Sequence, residues 1–134
     1  MAKVIHSMIR VLDLEKSVDF YQKALGLKED RRIDFDDFTL VYLRNAEADF
    51  ELELTLNKGR TEPYTHGSGY GHIAVCVDDV DQEYARIKQL DTSPTQLTDI
   101  TEMSNNGEIM AKFFFMKDPD GYEIEVLQRS GSYQ

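Results

Sequence analysis

Residues 72–87 read "HIAVCVDDVDQEYARI", and residues 6–21 read "HSMIRVLDLEKSVDFY". Laid over each other, His6 falls on His72, Ile9 on Val75, Val11 on Val77, Asp13 on Asp79 and Leu14 on Val80, at a constant offset of 66. Further on, "FELEL" (50–54) falls on "YEIEV" (122–126) at an offset of 72, and Gly59 then lies over Gly131. Each half therefore has a histidine at its front and a Glu-x-Glu segment at its back. The period is too long and the copies are too few for a solenoid. The pattern predicts two copies of one supersecondary module.

Local signals give the module its content. Residues 3–11 and 71–77 are rich in Val and Ile with period-two faces, which predicts strands. Asp13 and Asp79 follow them as helix N-caps. Leu14, Val18, Tyr21 and Leu25 share a helical stripe that Gly26 ends, and Val80, Tyr84 and Ile87 form the matching stripe. Strand-like runs follow: "FTLVYL" and "DFELELTL" in the first half, "IMAKFFFM" and "YEIEVL" in the second. "DPDGY" (118–122) is a turn signal, and residues 57–69 read as a linking loop. The prediction is an α+β fold: one domain over residues 1–134, built of two βαβββ modules of about 1–62 and 68–130.

The 134-residue length suits one domain. The net charge of −10 argues against a nucleic-acid groove or an anionic membrane surface, since both need clustered Lys and Arg. No apolar run approaches a spanning helix. The N-terminus breaks its apolar stretch with His6 and Arg10 and has no small-residue cleavage pattern, so no signal peptide is read. The lone Cys76 cannot form an internal disulfide and reads as a small buried filler, which fits a reducing compartment and a cytoplasmic location.

Alternation places the polar residues. Val4, His6, Met8 and Arg10 share one face of the first strand, and His72, Ala74 and Cys76 share one face of its counterpart. Glu51, Glu53, Thr55 and Asn57 oppose Leu52, Leu54 and Leu56; Glu123 and Glu125 oppose Ile124 and Val126. All the repeated polar positions thus turn away from the helices. Two histidines and two carboxylates on a concave face suit Zn, Ni, Co, Mn or Fe, with no thiolate in the set. Taken singly, each such residue reads as an ordinary strand histidine or solvated glutamate; the repetition is what singles them out. Periodicity alone does not choose Glu53 over Glu51, or Glu125 over Glu123.

The segments "HSMIRVLDLEKSVDFYQKALGL" (6–27), "ELTLNKG" (53–59), "YGHIAVCVDD" (70–79) and "DPDGYEIEVL" (118–127) resemble the vicinal-oxygen-chelate superfamily, and within it the glyoxalase I family of short bacterial type. The resemblance implies curved mixed sheets around a metal cup whose ligands are His6, Glu53, His72 and Glu125. It implies one divalent metal per site, Ni2+ or Co2+ ahead of Zn2+. It implies isomerisation of the methylglyoxal–glutathione hemithioacetal to S-lactoylglutathione through an enediolate, with Glu125 as principal base and Glu53 as the opposed carboxylate. Arg10, Asn57 and Lys112 are the implied glutathione contacts. Lys58 stands where an aromatic often follows the asparagine, and "NGEIMAKFFF" (106–115) lacks the usual glycine pair; both departures bear on the thiol. The resemblance also implies a homodimer in which His6 and Glu53 of one subunit meet His72 and Glu125 of the other.

Other readings of the fold remain open at this point. An iron(II) dioxygenase needs only two histidines and one carboxylate. An epimerase of the methylmalonyl-CoA type carries a glutamine at the place of Glu53, and a fosfomycin-type thiol transferase takes three ligands. A metal-free drug-binding module needs none of the four.

Overall fold

The repeated strand–helix–strand pattern is realised twice in the structure, a computed structural model that describes residues 1–91 and 96–134. The chain forms two compact units, Met1–Thr65 and His66–Gln134. The first runs β1 (His6–Val11), α1 (Leu14–Leu25), β2 (Lys28–Asp34), β3 (Phe38–Arg44), β4 (Glu51–Asn57). The second runs β5 (Ile73–Val77), α2 (Val80–Lys88), β6 (Thr101–Asn105), β7 (Glu108–Lys117), β8 (Glu123–Gln128). Each unit holds one four-stranded mixed sheet, in the order β1-β4-β3-β2 or β5-β8-β7-β6. The first and last strands of each unit pair in parallel, and the remaining pairs are antiparallel. Among the described residues no helix is long and apolar enough to cross a membrane.

Both helices start as the sequence predicts. Asp13 Oδ1 accepts from the Lys16 amide at 3.0 Å, and Asp79 Oδ1 accepts from the Gln82 amide at 3.0 Å. Each satisfies an amide that the first helical turn leaves without a partner. Gly26 ends α1 in the left-handed region, at φ 66°, where a Cβ is disfavoured. The buried stripe of α1 is Leu14, Ser17, Phe20, Tyr21 and Ala24 rather than one through Val18 and Leu25, which are half-buried. Phe20 and Tyr21 are bulkier, so the helix rolls to bury them both.

The helix-facing side of the first sheet supplies Ile9, Val11, Val41, Leu43, Leu52 and Leu54, all buried. Phe114, Met116, Ile124 and Val126 do the same in the second sheet, against Val80 and Ile87. Cys76 is half-buried, not a core filler, because alternation sets it on the face away from the helix. Strands β2 and β6 are exposed at every residue. Each lies at the edge of its sheet far from the parallel strand pair, where polar side chains that meet water take the place of apolar alternation.

The "DPDGY" turn is held from inside. Asp118 is 1% exposed, and its Oδ1 accepts from the amides of Asp120 and Tyr122, both at 2.9 Å. Gly121 takes φ 87°. Asp118→Ala strands both amides and should cost about 2 kcal/mol in urea unfolding, whereas Asp118→Asn, which keeps an acceptor oxygen, should cost less than about 1 kcal/mol.

Candidate metal centre

In the first unit the helix-free face of the sheet gathers four kinds of side chain. His6 opens β1, and its Nε2 lies 2.9 Å from Oε2 of Glu53 on the neighbouring strand β4. The strand register sets His6 opposite Glu51, with Glu53 one inward-facing step further along. Glu51 is engaged elsewhere: Arg31 Nη1 donates to both its oxygens, at 2.7 and 3.0 Å. The Arg31 guanidinium also caps the Tyr42 ring, 3.8 Å from its centre. An arginine pinned on an aromatic thus draws Glu51 away and leaves Glu53 for the histidine. Glu53 is 8% exposed, so its charge sits in a place that demands a partner.

Tyr42 is the cross-strand partner of Glu53. Its ring meets His6 edge-on at 5.7 Å and 78°. Burial, reinforced by the nearby Glu53 charge, pushes the Tyr42 phenol above its ordinary range.

The second unit repeats the arrangement. His72 immediately precedes β5, and its Nε2 lies 3.0 Å from Oε2 of Glu125 on β8. Phe115 on β7 is the cross-strand partner of Glu125, and meets His72 edge-on at 5.3 Å and 82°. Glu123 is exposed and stands opposite Lys117.

The spacing within each pair suits a shared ion. Two ligand atoms on bonds of about 2.1 Å at a right angle sit about 3.0 Å apart. The pairs show 2.9 and 3.0 Å between an imidazole nitrogen and a carboxylate oxygen. The donors are those that zinc, nickel and cobalt accept. Among the described residues no three His, Cys, Asp or Glu side chains gather in one cluster, so each unit presents a pair.

The residues expected to hold the thiol are distributed differently. Arg10 lies on the His6 face of β1, exposed, with Thr55 as its cross-strand partner. Asn57 ends β4 on the same face, and its Nδ2 donates to the Tyr64 hydroxyl at 3.0 Å. Arg60 stacks over that tyrosine at 4.4 Å. Between Glu53 and Asn57 stands Thr55, 8% exposed, whose Oγ1 is buried without a hydrogen-bond partner. The sequence places Thr55 on this face without giving it a role, although a hydroxyl next to two carboxylates in the same row is the available signal.

Lys112 lies on the opposite face of its sheet. Two residues along β7, Phe114 packs edge-on against Tyr84 of α2, and Lys112 itself pairs with Asp81 in the first turn of that helix. Asp81 holds the amine above the usual lysine range. The third histidine, His66, stacks flat on Tyr122 at 4.1 Å and 10°, over the Gly121 turn.

Two βαβββ repeats, each with a histidine–glutamate pair on its helix-free face, define a class of paired-module proteins. The profile of the Glyoxalase/Bleomycin resistance protein/Dioxygenase superfamily matches residues 3–126, and the chain belongs to that superfamily. It is 41% identical over 131 residues to the lactoylglutathione lyase of Neisseria meningitidis serogroup A, covering 95% of this chain and 91% of that protein. It is 33% identical over 130 residues to the lactoylglutathione lyase of Escherichia coli O157:H7, covering 94% and 92%. Among solved structures it resembles the trypanothione-dependent glyoxalase I of Leishmania major, with TM-score 0.73 and 38% identity over 96% of this chain and 87% of that one.

Alanine at His6, Glu53, His72 or Glu125 should each weaken nickel or cobalt binding by more than about tenfold in calorimetry, while Glu51→Ala and Glu123→Ala stay within about threefold. Equal losses at Glu51 or Glu123 would show that the Glu-x-Glu register is the other one.

Proposed function

We propose that the chain is a metal-dependent lactoylglutathione lyase that converts the methylglyoxal–glutathione hemithioacetal to S-lactoylglutathione, detoxifying methylglyoxal in the cytoplasm. The observation that carries this reading is the duplicated histidine–glutamate pair, which supplies two imidazoles and two carboxylates. The names of the relatives support it. His6, Glu53, His72 and Glu125 would hold one divalent ion, nickel or cobalt ahead of zinc. Bound there, the ion supplies Lewis-acid polarisation of the substrate's vicinal oxygens.

The chain's own residues do the rest. Glu125 takes the proton from C1, breaking the C–H bond, and a proton returns to C2. Glu53 is the opposed carboxylate. An ordinary glutamate is a weak base for a carbon acid, so this step depends on acidification of the C–H bond by the polarised carbonyl. Arg10 suits the γ-glutamyl carboxylate through its planar fork, and Asn57 can donate and accept beside it. The buried Thr55 hydroxyl lies between Glu53 and Asn57, and a bound polar group there would satisfy it.

Each unit carries half of the ligand set, which supports a homodimer in which His6 and Glu53 of one subunit face His72 and Glu125 of the other. A two-fold axis makes the two sites equivalent.

One observation favours a second reading for the thiol. Glutathione has two carboxylates, and Lys112, the implied basic contact left for the glycyl one once Arg10 takes the γ-glutamyl one, faces the helix and pairs with Asp81. A thiol with that end amidated needs no basic partner there. Comparing kcat/KM for hemithioacetals of glutathione and of its glycyl amide decides this: a preference for the amide supports the second reading, and a strong preference for glutathione rejects it.

Metal-stripped protein given methylglyoxal and glutathione should gain thioester absorbance when Ni2+ or Co2+ is restored. No activity with Ni2+, Co2+ or Zn2+ would point instead to an epimerase or a metal-free binding module. For the dimer, His6→Ala and His72→Ala proteins, each inactive alone, should recover activity after subunit exchange, to at most about half per heterodimer. Zero activity after exchange verified by mass would place both pairs of a site in one chain.

A further inference from the structure

The end of β4 is gripped by the loop that follows it. Gly59 turns the chain back at φ 82°, and the Arg60 amide donates to the Asn57 carbonyl at 3.2 Å. The Arg60 side chain then ties the loop together. Its Nε donates to the Glu62 carbonyl at 2.7 Å and an Nη to the Pro63 carbonyl at 3.3 Å, while the guanidinium lies over the Tyr64 ring at 4.4 Å. Tyr64 is thereby returned to Asn57, whose Nδ2 donates to its hydroxyl at 3.0 Å. That bond fixes the plane of the amide. Oδ1 is the other branch on the same carbon, so it points away from Tyr64.

A second observation lies two residues back on the same face. Thr55 is 8% exposed, and its Oγ1 is enclosed without a hydrogen-bond partner. A polar atom held in that state is costly unless a ligand completes it. Arg10 stands across the ladder from Thr55 and carries donors only. One face thus sets a cationic fork beside two acceptor oxygens.

We propose that Tyr64 is a positioning residue: its hydroxyl holds Asn57 with Oδ1 turned from the loop, so that Asn57 and Thr55 accept an ammonium while Arg10 takes the carboxylate on the same carbon. This rests on the reading above that the thiol is glutathione held at Arg10 and Asn57, and it adds which group the site demands, the free α-amine of the γ-glutamyl end. An ammonium has three N–H donors and no acceptor, so it needs oxygens around it. An amide free to flip would present Nδ2 as readily as Oδ1. The two charges of an α-amino acid sit on one carbon, and a cross-strand pair such as Arg10 and Thr55 offers receptors equally close together.

Calorimetry with S-methylglutathione and its N-acetyl derivative tests this. Acetylation removes the ammonium and keeps both carboxylates, so it should weaken binding to the wild-type protein at least about tenfold. Tyr64→Phe keeps the ring under Arg60 and removes only the hydroxyl. It should bind S-methylglutathione about tenfold more weakly and the N-acetyl derivative with unchanged affinity, and in turnover it should raise KM with kcat unchanged. Equal wild-type affinities for the two ligands would overturn the ammonium subsite. A loss in Tyr64→Phe shared equally by both ligands, or no loss, would overturn the positioning role. Asn57→Ala checks that Tyr64 acts through Asn57: adding Tyr64→Phe to it should cost less than about a further twofold, and a full additive loss would contradict the proposal. Should Tyr64→Phe fail to fold, Arg60→Ala, which removes the brace on Tyr64, takes its place with the same ligand-selective loss expected. The predicted ligand preference without turnover on any metal would refute the lyase reading alone, whereas a wild-type protein that binds neither ligand overturns this proposal whatever it turns over.

Discussion

A histidine nitrogen 2.9 Å from a glutamate oxygen, across two parallel strands, is the contact on which the helix-free face of the first unit depends. It exists because β1 and β4 lie side by side, with the helix that follows β1 crossing to the other face. The parallel pairing needs that crossover. The crossover needs Asp13 and Gly26 to start and stop the helix, and Phe20 and Tyr21 to seat it. The same sequence of causes runs through Asp79 and α2 to place His72 against Glu125 at 3.0 Å. The apolar side of each sheet therefore serves the polar side: a core of Val, Leu, Ile and Phe fixes the backbone from which two titratable groups converge.

Converging charges need management, and the first unit shows how it is done. Glu51 and Glu53 point the same way, two residues apart, and both lie within reach of the histidine strand. Arg31 resolves the competition by binding Glu51 through both oxygens while it rests on Tyr42. The second unit uses exposure instead, with Glu123 left in solvent and Glu125 drawn in. A net charge of −10 is tolerable in such a chain because most of its acids are solvated or paired at the surface.

Much of this was legible in the sequence because duplication turns single weak signals into matched ones. One histidine at a strand start says little; His6 and His72 at an offset of 66, each followed by a capping aspartate, predict both strand–helix turns and the shared polar face. The family resemblance then selects the inner glutamate of each pair, and the structure sets Glu53 and Glu125 beside the histidines. Strands β2 and β6 were not legible residue by residue. "KEDRRID" and "TEMSN" are edge strands whose side chains meet water, so the apolar alternation that announces a strand is missing. Tyr42 and Thr55 were visible as letters in strand patterns, but their meaning lies in which residue stands across the ladder, and register is not written in one strand alone. Lys112 illustrates the same limit: the family resemblance links it to the thiol, and its strand phase turns it to Asp81 on the helix side.

The proposed lyase activity requires the two histidine–glutamate pairs to act as one metal site. X-ray absorption on the nickel-loaded protein, together with the metal content per chain, tests that most directly. One nickel per chain with two imidazoles and two carboxylate oxygens in its shell is the predicted result. Two nickel ions per chain, each with a single imidazole, would contradict it and show that each pair binds on its own.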